Sequence, residues 1–453
     1  MKILGNIGFC RELLRKAAAL VAFAVMLSAA SATPVKGIHH PADSSVAANI
    51  RLFMNNGRYS KALFFPNTVA EFYNGREYAP NWVDPKYNTR QTWESMLLLD
   101  CVLQFGLSHA DYHPQELLYD RLHDILERPE KVSNAEKARY DIFLTDAMIT
   151  FINHLHFGKF NPVYPVARID RQSETFNAAL VLARAIKQKD FMSAILDVQP
   201  KSKAYGALQG QMHLLEGVYQ EDCYEIPEAD VRKIAINMER LRWAEVDADT
   251  YIEINIPSFT LALHQPDTVY YFKITAGKPS TPTPELQSEL SYLTTAVAGK
   301  KVVKRPDKLT NESKTDIYQG SNAANRYGGE PDNRGSVFFW FDNSRGITMK
   351  SVALKRQTLA NRARTDGTIC VEDGEKLAAL ILKHDPDNLR AFKKAVGGKA
   401  TRNFILKKVI PVRVTYVTCQ MREGELIKYP DIYNKDPKLE EALYRGVKAT
   451  ALQ

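Results

Sequence analysis

Two side chains that could attack a carbonyl lie close together in the stretch Arg362–Leu382, RARTDGTICVEDGEKLAALIL: the hydroxyl of Thr368 and the thiol of Cys370. A threonine hydroxyl is a poor nucleophile at neutral pH unless a base takes its proton. Asp366 stands two positions before Thr368. On a strand the two would share a face, but Gly367 between them predicts a turn. Cys370 would share a strand face with Thr368, its thiol about 6 to 7 Å from the point where Thr368 would act. Burial as an inert cysteine is the bland alternative for Cys370. No histidine occurs between His264 and His384, so the segment carries no imidazole base. Around it, Arg345, Lys350, Lys355, Arg356, Arg362 and Arg364 follow one another with no acidic residue among them. That run reads as a solvated basic face, or as a cationic groove for an anionic peptide or polymer.

The elements that must hold these residues are legible from their periods. Leu377, Leu380 and Ile381 recur at helical spacing behind the short apolar run Ile369-Cys370-Val371. Ser336–Phe341 and Ile347–Ser351 read as strands, as do Tyr251–Pro257, Phe259–Leu263, Tyr270–Ile274 and Pro411–Thr418. Gly277-Lys278-Pro279 and Thr281-Pro282-Thr283-Pro284 read as turns. Residues 299–330 are polar, without periodicity, and read as a loop. Before residue 218 the pattern is helical. Trp93, Met96, Leu97, Cys101 and Phe105 form one apolar face, Phe143, Ala147, Met148, Phe151 and Leu155 another, and Ala178–Ala185 a third. His154 and His156, two apart on a helix, point to different faces and read as surface histidines rather than co-ligands.

The stretch resembles the nucleophile segment of the L,D-transpeptidases, bacterial enzymes that crosslink peptidoglycan through a cysteine. The family reads Arg-Ala-x-Ser-His-Gly-Cys-Ile-Arg-Val there. Arg362, Ala363, Gly367, Ile369 and Val371 match. Thr365 stands for the serine, Asp366 for the histidine, Thr368 for the catalytic cysteine and Cys370 for the arginine. Lys350 and Ser351 stand where the family has a histidine and an aspartate. Further matches are Phe72-Tyr73-Asn74-Gly75-Arg76-Glu77-Tyr78-Ala79-Pro80-Asn81-Trp82, similar to the opening of the helical scaffold domain in large members, and the pieces Phe143–Asp146 and Leu155–Pro162. Asn237-Met238-Glu239-Arg240-Leu241-Arg242-Trp243 is similar to a connecting helix, and Asp431-Ile432-Tyr433-Asn434-Lys435-Asp436 to the tail. The small peptidoglycan-binding module that such enzymes often carry has no counterpart here.

The resemblance implies an α+β chain, with an all-helical scaffold domain followed by a β-rich catalytic-like domain. The expected divisions are a signal peptide at 1–32, a lead-in at 33–66, the scaffold at 67–218 and a connecting helix at 219–248. The catalytic-like domain follows at 249–420, and a tail packed on it at 421–453. The signal peptide rests on the chain itself: Lys2, Arg11, Arg15 and Lys16, then an apolar Ala17–Ala30, then Ala30-Ser31-Ala32. The apolar run is short for a membrane span, an uncleaved anchor being the alternative. Of the formal net charge of +8, about +5 remains on the mature chain, a mild basic excess. Five cysteines make no disulfide scaffold and fit no metal motif, and nothing calls for a cofactor or for nucleic acid.

The leading expectation is a periplasmic or envelope protein that keeps the fold, has lost the thiol chemistry, and binds peptidoglycan stem peptides or an envelope protein. Lys350, Arg362 and Gly367 are the candidate binding residues. One alternative is an active transpeptidase with Cys370 as displaced nucleophile. Another is a structural docking protein.

Overall fold

The computed structural model describes residues 45–56, 60–171, 176–216, 229–243, 248–295, 337–341, 347–352, 362–396 and 401–445. The expected signal peptide, the loop at 299–330, Arg345, Lys355 and Arg356 lie outside the described residues. Helices run from Val46 to Arg242, and strands dominate from Tyr251. Among the described residues, no helix is long and apolar enough to cross a membrane, and no cluster of His, Cys, Asp and Glu could hold a metal ion.

The helical half is built around the helix Asn134–Phe157. Its start is fixed by a capping box, in which Ser133 Oγ accepts the Glu136 N–H and Glu136 accepts the Ser133 N–H. From Tyr140 to Leu155 every side chain is buried, so this helix is enclosed on all sides. Its buried carboxylates gather loops. Asp141 accepts the Tyr73 hydroxyl at 2.6 Å and the N–H groups of Asn81 and Trp82 at 2.9 and 2.7 Å. Thr145 accepts the Trp82 indole N–H at 2.9 Å. Asp146 accepts the N–H groups of Phe64 and Phe65 and contacts His113 Nε2 at 2.6 Å. The aromatic motif at 72–82 and the Asp141-Thr145 pair are thus two sides of one buried hydrogen-bond network.

Two sequence expectations change here. His154 is buried, not on the surface; its Nδ1 meets the Tyr112 hydroxyl at 3.0 Å, and burial pushes its pKa well down. On the helix Thr89–Asp100 the buried residues are Thr92, Ser95, Met96, Leu98 and Leu99, while Trp93 and Leu97 are half-buried. Trp93 instead stacks on Tyr119 and packs against His123, both from the neighbouring helix Tyr119–Glu127.

The strands are β1 Tyr251–Asn255, β2 Thr260–Gln265, β3 Thr268–Gly277, β4 Leu286–Thr295, β5 Val337–Phe341, β6 Met349–Ser351, β7 Ala363–Thr365, β8 Ile369–Val371, β9 Arg402–Thr415, β10 Cys419–Arg422 and β11 Glu425–Lys428. Eight of them close on themselves in the order β2-β1-β9-β4-β5-β6-β8-β3, with β3 pairing back to β2. Among the described residues, every strand of this barrel is paired on both sides. β7 adds to β3 in parallel, and β10–β11 form a separate hairpin. Apolar side chains from Ile252, Ile254, Leu261, Ile274, Met349, Ile369, Val371 and Val412 fill one core, which Leu377 and Phe392 of the two helices after β8 join.

The helix Ala229–Arg242 joins the halves. Glu239 accepts the Phe160 N–H at 2.6 Å and the Trp243 indole N–H at 2.9 Å. Arg242 donates to the Phe105 carbonyl and to the Tyr205 hydroxyl. Toward the C-terminal side, Asn237 bonds the Thr418 N–H and hydroxyl, and Arg240 and Lys233 both pair with Asp436. The contiguous motif Asn237–Trp243 is therefore a two-sided clamp. The tail packs on the barrel through Ile432 and Tyr433, and its helix Asp436–Leu443 also joins a third core with this connecting helix and with Tyr205, Leu208 and Met212.

Candidate functional site

Gly367 lies at φ +86°, a left-handed conformation that glycine adopts without strain. It turns the chain between β7 and β8, as expected, so Asp366 and Thr368 do not share a regular strand face. Around the turn, Thr365 Oγ1 donates to the Thr368 carbonyl at 2.5 Å, and Thr283 Oγ1 donates to the Gly367 carbonyl at 3.0 Å.

The parallel pairing of β6 with β8 sets Lys350 beside Cys370 and Met349 beside Ile369. β3 then places Thr275 on the other side of Cys370. Since Met349, Ile369 and Val371 point into the core, Lys350 and Cys370 point to the opposite face. Thr348 continues this row beside Thr368, with the two hydroxyl oxygens 3.5 Å apart. Thr348 escaped the sequence reading, because a parallel register leaves no local signal in the chain.

Thr368 is half-buried, and among the described residues its side chain meets no histidine. Asp366 is engaged elsewhere. Its Oδ1 is 2.8 Å from Lys278 Nζ and 3.4 Å from Thr281 Oγ1, contacts that hold its carboxyl below the usual range. Cys370 is only 8% exposed, and burial pushes its thiol up despite the nearby charges of Lys350 and Arg364. A reactive cysteine needs the reverse, an accessible site that favours thiolate.

Lys350 is half-buried on the site face and adjoins Cys370. Arg362 is different from the expectation that it binds ligand. It is 3% exposed, donates from Nη1 to the Ile274 carbonyl at 3.0 Å, and pairs through Nη2 with Glu372 at 2.6 Å. A guanidinium held so by β3 and the end of β8 positions backbone and is not presented to a ligand. Among the described residues of the basic run, Lys350 and Arg364 are the charges left on this part of the barrel.

Two family models match the chain. Residues 67–212 match the Scaffold domain, and residues 249–395 match the L,D-transpeptidase catalytic domain. Over 424 residues the chain is 23% identical to a protein of Haemophilus influenzae named "Putative L,D-transpeptidase", covering 83% of this chain and 80% of that protein. The first match spans the helices gathered by Asp141 and Asp146, and the second holds the Gly367 turn and β1 to β8. The chain thus joins a Scaffold domain to a domain of the L,D-transpeptidase catalytic family.

Proposed function

We propose that this protein is an exported envelope protein that retains the L,D-transpeptidase fold without its thiol chemistry and binds peptidoglycan stem peptides. The observation that carries this reading is the surroundings of Thr368. At the turn where the family holds its cysteine, a threonine hydroxyl has another threonine hydroxyl as its side-chain neighbour. The carboxylate two positions away, Asp366, is paired with Lys278. A hydroxyl without a base to take its proton does not open an amide at a useful rate. Cys370 as a displaced nucleophile is disfavoured by its burial and its raised thiol pKa. Binding, by contrast, needs only a shaped wall and a charge. Lys350 supplies a cation on the site face, suited to a stem-peptide carboxylate.

Titration calorimetry of the mature protein with a purified muropeptide tests the reading. Saturable binding is expected, weakened by Lys350→Ala, with a larger effect at low salt where charge is less screened. The melting temperature should stay unchanged, since substitution of a partly exposed charge alters stability by no more than about 0.5 kcal/mol. Absence of binding heat at millimolar ligand would refute the proposal and leave the docking reading.

A further inference from the structure

The turn that carries Thr368 is held from outside its own segment. Thr283 is fully buried, and its hydroxyl accepts the Gly277 N–H at 2.9 Å while donating to the Gly367 carbonyl at 3.0 Å. The Thr283 N–H in turn donates to the Tyr433 hydroxyl at 3.1 Å, and that hydroxyl donates to the Gly277 carbonyl at 2.7 Å. Two hydroxyls therefore tie three chain segments together: the end of β3, the Thr281–Pro284 turn and the Gly367 turn. The packing here has no slack. A Cβ on Gly277 would lie 2.2 Å from the Thr281 carbonyl oxygen and 2.7 Å from the Thr283 nitrogen.

Tyr433 is itself fixed by the tail. Its N–H donates to the Tyr416 hydroxyl at 2.7 Å, and Tyr416 donates to Asp431 at 2.6 Å. Asp431 also accepts the N–H groups of Lys435 and Asp436 at 2.9 and 2.8 Å. Asp436 is the residue that Arg240 and Lys233 of the connecting helix hold. A continuous line of hydrogen bonds thus runs from that helix through the tail to the site.

We propose that Thr283 and Tyr433 are positioning residues for the candidate site, setting the Gly367 turn by this hydroxyl relay so that the tail, and not β7 and β8 alone, determines where residue 368 stands. Neither side chain reaches Thr368, so the role is exercised through the backbone at Gly277 and Gly367. Thr283, Gly277 and Gly367 are buried and Tyr433 is half-buried, a setting where a lost hydrogen bond costs more than at the open surface. The inference concerns the site named above, but its geometry does not depend on which ligand the site takes.

The test is hydrogen exchange by mass spectrometry on the full-length mature protein without ligand, comparing parent, Thr283→Val, Thr283→Ser and Tyr433→Phe. Thr283→Val keeps the volume and removes the hydroxyl; Thr283→Ser keeps the hydroxyl. Exchange in peptides covering 363–371 should rise about tenfold in Thr283→Val and Tyr433→Phe, the loss of one buried hydrogen bond. Thr283→Ser should return it to the parent rate, and peptides from β1, β4 and β9 should not change. Should Thr283→Val fail to fold, Tyr433→Phe carries the test alone. Unchanged exchange at 363–371, or a rise spread evenly over the barrel, would overturn the proposal. Muropeptide titration of the same variants separates this from the binding reading: a loosened turn in a protein that binds nothing would uphold the relay and refute the ligand.

Discussion

At residue 368 the outcome depends on what stands within reach among the described residues. Thr348 offers a hydroxyl, Asp366 is tied to Lys278, and Cys370 is buried beside Lys350. Restoring Cys at 368 and His at 366 together is therefore not expected to restore full crosslinking activity. The added histidine would take the place of an ion-paired carboxylate, and Lys350 would still stand where the family has a histidine. Groups that act as a unit give little when only part of the unit is replaced. Release of crosslinked muropeptide by the double variant, at a rate comparable with an active family member, would show the rest of the site to be competent. The sequence made the substitutions at 366, 368 and 370 visible, and the turn at Gly367. It did not reveal Thr348, whose place depends on the register of two strands, nor that Arg362 is buried. A basic residue in a run of basic residues looks exposed until the sheet places Glu372 and the Ile274 carbonyl against it.

The elements show why some motifs could be read and others could not. The long helix Asn134–Phe157 announces its start through Ser133 and Glu136, which are local. Its role as collector of the 64–65 and 81–83 backbone is not local, and only the fold explains why Asp141 and Asp146 are there. Burial raises the Asp141 carboxyl to about 6, with hydrogen bonds from Tyr73 and from the Trp82 and Asn81 backbone holding it from rising further. Asp141→Ala would leave those donors buried without an acceptor, at a cost on the order of 3 kcal/mol. An unfolding free energy from urea titration lowered by less than a third of that would mean that water replaces the carboxylate. The helix Thr89–Asp100 gives the opposite lesson. Trp93 and Leu97 lie at helical spacing, yet the buried residues are Thr92, Ser95, Met96, Leu98 and Leu99, since a second layer of helix covers Trp93.

For the whole molecule, the chain order of helices before strands was enough to give the α+β division, and the connecting motif gave the join. The closed order of the barrel was not readable, because pairings such as β1 with β9 span most of the domain. Two buried acid–base clusters bear on stability. Burial would raise the Glu253 carboxyl, but Arg413 and His264 outweigh it and bring it down to about 2. Asp436 is likewise held below its ordinary value by Arg240 and Lys233 against the effect of burial. A depressed carboxyl contributes fully above its unfolded value and loses that contribution as pH falls through its folded value. For Glu253 the window runs from 4.5 down to about 2. Asp141, raised from 3.8 to about 6, acts in the opposite sense over its own range, so the net loss should appear at the acid end. Urea midpoints measured from pH 7 to pH 2.5 should fall steeply only near the bottom; a midpoint constant to pH 2.5 would contradict this. On the reading proposed above, the barrel is kept here without a working nucleophile. Intact-mass spectrometry of the mature protein after exposure to a carbapenem, which acylates the cysteines of this family, tests it most directly. The account predicts the unmodified mass; a stable adduct mapped to Cys370 would contradict it.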